Sequence, residues 1–282
     1  MAEFFALTGI SLRRLLFRAR FFVALGLTAA CVLYCYSQVP PFLAEQGMQI
    51  QAAEPFLMFF SSRITQLFLL LSFLLLAGDA PFCHDGMEYV VTRSGKRRWL
   101  LAQCVSMLVL TLIWLIWILL CTLAVFRRCL DFSGQWSLFT KLVGRNMGQF
   151  RLDSFGFQWQ VHPSANLLSA AGPYGMLALD LLLDLLLFGS VGIWCAALNL
   201  WTRRSYGCAF TVVLWVLRFG LDLMPGLYAL ERFSPLSLID LHAAPMTAAR
   251  IAWILCFFLG QMLPLLVLCL RRIRRIDLTK LR

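Results

Sequence analysis

The chain is poor in charge. Only 14% of its 282 residues are Asp, Glu, Lys or Arg, where a soluble domain carries about 25%. No long polar stretch interrupts it, which excludes a sizeable soluble domain. Other absences narrow the chemistry. None of the ten cysteines forms a C-x2-C pair, which argues against a structural zinc or iron–sulfur site. Most of them lie inside apolar runs, where a free thiol acts as a small hydrophobe. The three histidines, His84, His162 and His242, form neither H-x-x-x-H nor H-E-x-x-H. There is no G-x-x-x-x-G-K-[ST] segment, so the chain is not itself a P-loop ATPase. The first apolar run lacks a clear A-x-A end and more runs follow it, so it reads as a retained helix rather than a cleaved signal. No repeat or low-complexity tract stands out.

What remains is apolar. Hydrophobic residues make up 61% of the chain and the mean hydropathy is +0.78. This is the composition of an all-α, polytopic membrane protein. The net charge of +11 comes from basic residues at the ends of apolar runs, the pattern of flanks meeting anionic membrane lipids rather than nucleic acid. Six spans are predicted, over residues 21–39, 55–77, 99–126, 174–198, 206–223 and 248–270. Most of the 25 lysines and arginines then fall in 1–20, 79–98, 203–204 and the C-terminal tail. By the positive-inside rule both termini are cytoplasmic.

Several local expectations follow. Residues 1–20 put Arg14 and Arg18 on one side of a helix and Leu12, Leu16 and Ala19 on another, which suits an amphipathic helix in the interface plane. Pro40 and Pro41 stop the first span. Trp99 reads as an interface anchor, whereas Trp114 and Trp117 read as packing residues. Residues 127–173 form an external loop of short helices and turns. Its Arg127, Arg128, Lys141, Arg145 and Arg151 run against the charge bias. Its aromatic residues fit a packed cap over the spans, or a contact with lipid or an outer partner. A short surface or re-entrant helix is expected at 236–244.

The segment 79–98 is the most distinctive. Asp79 is expected to cap a helix with Pro81 in its first turn, carrying Phe82, His84, Asp85, Glu88 and Tyr89. Ser94-Gly95 makes a turn, and Arg93, Lys96, Arg97 and Arg98 cluster at the foot of the third span. The prediction is a short transverse helix, with apolar side chains on the spans and polar ones turned to a soluble partner.

Charges also fall inside the spans. Asp180 and Asp184 lie one turn apart on one face of the fourth span, and Arg218 and Asp222 repeat that spacing in the fifth. An ionisable group in hydrocarbon turns toward a partner or a watery path. Three readings stand: an interhelix ion-pair network, a polar site in a translocation path, or a proton-linked site.

The segment 79–98 resembles the intracellular loop of the ABC-2 type permeases, the membrane subunits of many bacterial ABC exporters. Asp85-Gly86 matches the family's acidic–glycine step, Tyr89-Val90-Val91-Thr92 follows, and Arg97 matches its basic residue before the third span. Arg93 stands in place of the family's proline and Gln103 near a common lysine. The resemblance implies the six-span, type V exporter architecture. It also implies a homodimer or related pair of permease subunits driven by separate ATPase subunits, in the bacterial cytoplasmic membrane. ATP and magnesium would then bind the partner and no cofactor this chain. Phe82, His84, Asp85, Gly86, Glu88, Tyr89, Arg93 and Arg97 would form the coupling contact, and the cargo would be a peptide, lipid-like or hydrophobic small molecule. The alternatives are a non-transporting assembly or sensory partner, or a membrane-embedded enzyme using Asp180 and Asp184.

Overall fold

The computed structural model describes residues 2–60, 63–82, 87–144, 164–169, 171–202, 206–223, 233–242 and 244–273. It is mostly helical. In chain order the helices are α1 (Ala2–Leu16), α2 (Ala19–Tyr36), α3 (Val39–Glu45), α4 (Glu54–Phe59), α5 (Arg63–Ala77), α6 (Met87–Ser94), α7 (Lys96–Phe126), α8 (Leu138–Gly144), α9 (Pro173–Thr202), α10 (Gly207–Leu223), α11 (Pro235–Ile239) and α12 (Ala248–Arg272). Two-residue strands β1 (Ile50–Gln51) and β2 (Leu130–Asp131) pair in parallel, Ile50 opposite Leu130.

Among the described residues four helices are long and apolar enough to cross a membrane: the one that begins with α2, then α7, α9 and α12. The described parts of the second and fifth predicted spans are shorter. Residues 55–77 divide between α4 and the 15-residue α5, and α10 has 17 residues. The prolines behave differently from expectation. Pro40 and Pro41 open α3 instead of ending helical structure, because proline's missing N–H costs nothing in a first helical turn.

α9 is the central helix. It packs against α4, α5, α7, α10, α11 and α12. Of its most apolar window 67% is buried, against 33% or less for the other three. α7 approaches it closely: a Cβ on Gly189 would lie 2.8 Å from Leu108 Cδ2, and one on Gly192 2.7 Å from Met107 Cε. Small residues permit such contact where hydrophobic driving force between helices is weak. Phe73, Trp114 and Phe188 join α5, α7 and α9, with ring centroids 4.8–5.5 Å apart. Trp114 Nε1 donates to Thr28 Oγ1 at 3.0 Å, Thr28 meets Ser72 Oγ at 2.7 Å, and Ser72 donates to the Ala24 carbonyl at 2.9 Å. This knot ties α2, α5 and α7. Thr28→Val strands the indole N–H, so we expect a loss of about 1–3 kcal/mol, seen as a lower melting temperature in detergent.

α1 does not lie apart from the bundle. Gln103 Nε2 donates to Ser11 Oγ at 3.0 Å and Ser106 Oγ to the Thr8 carbonyl at 3.3 Å, so α1 runs antiparallel to the start of α7. Leu7, Thr8 and Leu15 are buried there, while Arg13 and Arg14 are exposed.

The ends of the bundle differ. One end gathers the start of α2, the end of α5, α6, the start of α7, the α9–α10 junction and the end of α12, and is rich in arginine. The other carries a cap made of α3, α4, both strands, α8 and α11. The cap is stitched by the strand pair, by Trp136 Nε1 on the Ala171 carbonyl at 3.1 Å and by Asn166 Nδ2 on the His242 carbonyl at 3.0 Å. The expected helix at 236–244 is the five-residue α11, with Leu236, Leu238 and Ile239 buried. Loop residues 145–163, with most of the loop's aromatics, lie outside the described residues.

Candidate functional site

At the arginine-rich end, Gly95, with φ of 85°, separates α6 from α7. Val91 of α6 is buried in a cluster with Trp99 and Leu100 of α7, Ile193, Ala197 and Leu200 of α9, and Leu265 and Cys269 of α12. Val91 thus seats α6 on α7, in a cluster that α9 and α12 share. Trp99 is 1% exposed. It is a core residue here rather than an interface anchor, buried in this cluster with side chains of α6, α9 and α12. On the outer side of α6, Tyr89 is 83% exposed and Arg93 is also exposed; Arg97, in the first turn of α7, is exposed as well. The Glu88 backbone belongs to α6, but its side chain, with His84, Asp85 and Gly86, lies outside what is described.

Helical structure does not begin at Pro81, and residues 83–86 lie outside what is described. Residues 80–82 are not helical, and Asp79 does not cap them. Its carboxylate instead pairs with Arg20 at the foot of α2. Phe82 is buried and lies under the Arg18 guanidinium, 5.8 Å from its ring centroid. It anchors the segment and offers no surface to a partner. The turn is held from α9: Asn199 Nδ2 donates to the Gly78 carbonyl at 2.8 Å and the Ala80 carbonyl at 2.7 Å, and its Oδ1 accepts from Gly207 N–H at 3.0 Å. Gly207 is forced to be glycine by packing, since a Cβ would lie 2.5 Å from Cys195 Cα. Asn199 therefore binds the end of α5, the turn before α6 and the start of α10 together. Sequence reasoning missed it; the only signal was an amide at the end of an apolar run.

Asp180 and Asp184 are 2% and 0% exposed. Asp180 Oδ2 and both oxygens of Asp184 have no hydrogen-bond donor among the described residues. Arg218 and Asp222 belong to α10, with side chains outside what is described. Their depth follows from register. Asn199 meets Gly207 and Cys195 Sγ lies 3.8 Å from Thr211 Oγ1. Carried four residues at a time along two antiparallel helices, that register sets Asp222 level with Asp184 and Arg218 one turn nearer the arginine-rich end.

The cap holds a second buried carboxylate that sequence reasoning passed over. Glu54 is fully buried. Its Oε1 accepts from Ser137 N–H at 2.6 Å, and its Oε2 from Ser137 Oγ at 2.6 Å, Thr140 Oγ1 at 2.8 Å and Gln51 N–H at 3.2 Å. Ser137 Oγ in turn accepts from Thr140 N–H at 3.1 Å. This is a capping box whose acid comes from another segment. Burial pushes the Glu54 carboxyl up from its ordinary 4.5, and the four donors pull it partly back. Nearby, burial holds His242 below its ordinary 6.5 against the opposing charge of Asp240; its Nε2 meets the Leu57 carbonyl at 3.1 Å.

Among the described residues no group of three His, Cys, Asp or Glu side chains is placed to hold a metal ion. The site has two parts: a surface helix keyed and tethered to the long helices, and a carboxyl pair in the central one. No protein-family model, curated protein or solved structure matches this chain.

Proposed function

We propose that the chain is the membrane-spanning permease subunit of an ATP-driven exporter, and that α6 is the contact for a separate ATPase subunit. In this reading the arginine-rich end faces the cytoplasm of a bacterial cell. Residues 55–77 and 206–223 complete six spans, with the short α5 and α10 supplying the second and fifth, and a second permease copy completes the transporter. ATP and magnesium stay on the partner. A peptide, lipid-like or hydrophobic small molecule is the cargo, and Asp180, Asp184, Arg218 and Asp222 line or brace its path.

The observation that carries the reading is the mounting of α6. A loose loop would transmit no force. Here Val91 plugs a cluster shared by α7, α9 and α12, and Asn199 ties the turn before α6 to α9 and α10. A push on the exposed Tyr89–Arg93 face therefore reaches several long helices as one rigid movement, which is what alternating exposure requires.

The test is charge reversal in the proposed coupling segment, Asp85→Lys with Glu88→Lys, in cells that also express the candidate ATPase. We expect weaker co-purification of the ATPase, or ATP hydrolysis that no longer tracks transport, at unchanged membrane levels of the chain. Co-purification, hydrolysis and transport all equal to those of the unaltered protein would sink the assignment.

A further inference from the structure

We propose that the outer face of α1 seats one anionic phospholipid from the leaflet at the arginine-rich end, with an acyl chain along Phe5, Gly9 and Ile10 and the phosphate on Arg13 and Arg14. α1 has two faces. Leu7, Thr8 and Leu15 are buried on the side of α7. On the other stripe, at helical spacing, Phe5, Ala6, Gly9, Ile10, Arg13 and Arg14 are all exposed. Phe5 is 67% and Ile10 48% exposed, and a Cβ on Gly9 would meet nothing within 4 Å. The chain leaves this stripe uncovered.

The stripe is divided along its length. Its first half is wholly apolar, and its second half carries two guanidinium groups. The bonds from Gln103 to Ser11 and from Ser106 to Thr8 decide which half lies deeper. That register sets Arg13 and Arg14 level with Leu100 and Leu101, beside the basic foot of α7 at Lys96, Arg97 and Arg98. It sets Phe5 level with Val109, inside the apolar run of α7. From Phe5 to Arg13 is about 12 Å at helical rise, most of the roughly 15 Å that the hydrocarbon of one leaflet occupies. A helix lying flat in the interface separates polar from apolar residues around its axis. Separation along the axis, aligned with a long apolar helix, matches one lipid standing in its leaflet, chain inward and phosphate outward.

The charge selects the headgroup. Among the described residues neither Arg13 nor Arg14 has an acidic partner. The arginines at the nearby corner are committed: Arg20 pairs with Asp79, and the Arg18 guanidinium lies over the Phe82 ring. Ile10 and Phe17, on either side of the free pair, are exposed. A phosphate held between them meets the guanidinium groups against apolar surface, where screening is weaker than in open water. Guanidinium also matches phosphate oxygens in two-point contacts. A zwitterionic lipid offers the same phosphate, but its ammonium group cancels the charge that draws it here.

This proposal stands apart from the permease reading, since a chain that transports nothing can still hold a lipid. The purified full chain in mild detergent is titrated with phosphatidylglycerol or with phosphatidylcholine, and bound lipids are counted by native mass spectrometry. The first phosphatidylglycerol should bind at a several-fold lower concentration than the first phosphatidylcholine. Arg13→Gln with Arg14→Gln should raise the half-saturating phosphatidylglycerol concentration about 30-fold, on the order of fivefold for each arginine lost beside an anionic group. Phosphatidylcholine binding should stay as it was. Ile10→Ser should weaken both lipids alike. Arg127→Gln with Arg128→Gln, an exposed pair at the opposite end, should change neither. All four arginines are exposed, so an unchanged melting temperature certifies each variant as folded. Equal affinity of the unaltered chain for the two lipids would overturn the seat. So would a phosphatidylglycerol curve unmoved by the Arg13 and Arg14 changes, or one moved as far by the Arg127 and Arg128 changes. A shift from dimer to monomer in the Arg13 and Arg14 variant, without added lipid, would give the face to a second copy of the chain instead.

Discussion

Glu54→Ala should be among the most damaging single changes in the cap. It removes the acceptor of four hydrogen bonds at once. The Ser137 and Gln51 N–H groups have no other acceptor nearby, and a buried N–H left bare costs about 1–3 kcal/mol. The Ser137 and Thr140 hydroxyls lose a charge-assisted bond each. Together with the cavity, the loss should be roughly 3–5 kcal/mol, typical of breaking a buried charged network. For a chain of this length that corresponds to a fall of order 10 °C in melting temperature. Glu54→Gln should be milder, because its carbonyl still accepts from Ser137 N–H and the two hydroxyls can turn to accept from its amide. The pair also differ in pH dependence. Glu54 holds its proton more tightly when folded than when unfolded, so its contribution favours the folded state below the ordinary carboxylate value. That contribution is lost as pH rises through the folded value. Thermal unfolding in detergent over mildly acidic to neutral pH should show this slope in the unaltered chain and a flatter one in Glu54→Gln. Equal slopes would mean that the carboxyl titrates alike in both states.

How far the sequence revealed this structure depended on the range of the interaction. Apolar runs located α2, α7, α9 and α12, because length and hydropathy are local properties. The four-residue spacing of Asp180 and Asp184 already implied one shared face, and both are buried. Pro40 and Pro41 misled because proline both ends and begins helices, and only the backbone decides which. Pro81 and Asp79 looked like a helix start. The carboxylate is taken by Arg20, 59 residues away in the chain, and residues 80–82 are not helical. Trp99 has an interface-like position after three basic residues, yet it is buried in a cluster with side chains of α6, α9 and α12.

The two residues that organise the ends of the bundle were invisible for the same reason. Glu54 acts on Ser137 and Thr140, 83 and 86 residues away. Asn199 acts on Gly78 and Ala80, 121 and 119 residues away. Neither distance leaves a motif. Both are polar residues beside apolar runs, which in sequence look like ordinary helix ends. In the fold each satisfies backbone groups that hydrocarbon or a tight junction would otherwise leave bare.

Asn199→Leu should be the corresponding lesion at the opposite end, and its consequence reaches function. The substitution keeps the branched shape of the side chain but strands the Gly78 and Ala80 carbonyls and the Gly207 N–H. At about 1–3 kcal/mol for each bare group, the cost is roughly 3–6 kcal/mol. Asn199→Asp should be no better. Its Oδ1 still accepts from Gly207, but the other oxygen faces two carbonyls and repels both. A purely local role predicts a lower melting temperature and nothing else. The proposed role predicts a further effect in protein that still folds at reduced temperature. With the turn released, α6 remains seated on α7 through the Val91 cluster, but the end of α5 and the start of α10 no longer move with it. ATPase binding through Tyr89 and Arg93 should then persist while transport per ATP hydrolysed falls several-fold. Measured side by side, retained co-purification with lost transport would mark Asn199 as a transmission point. Transport that falls only in step with the amount of folded protein would make it a structural clasp.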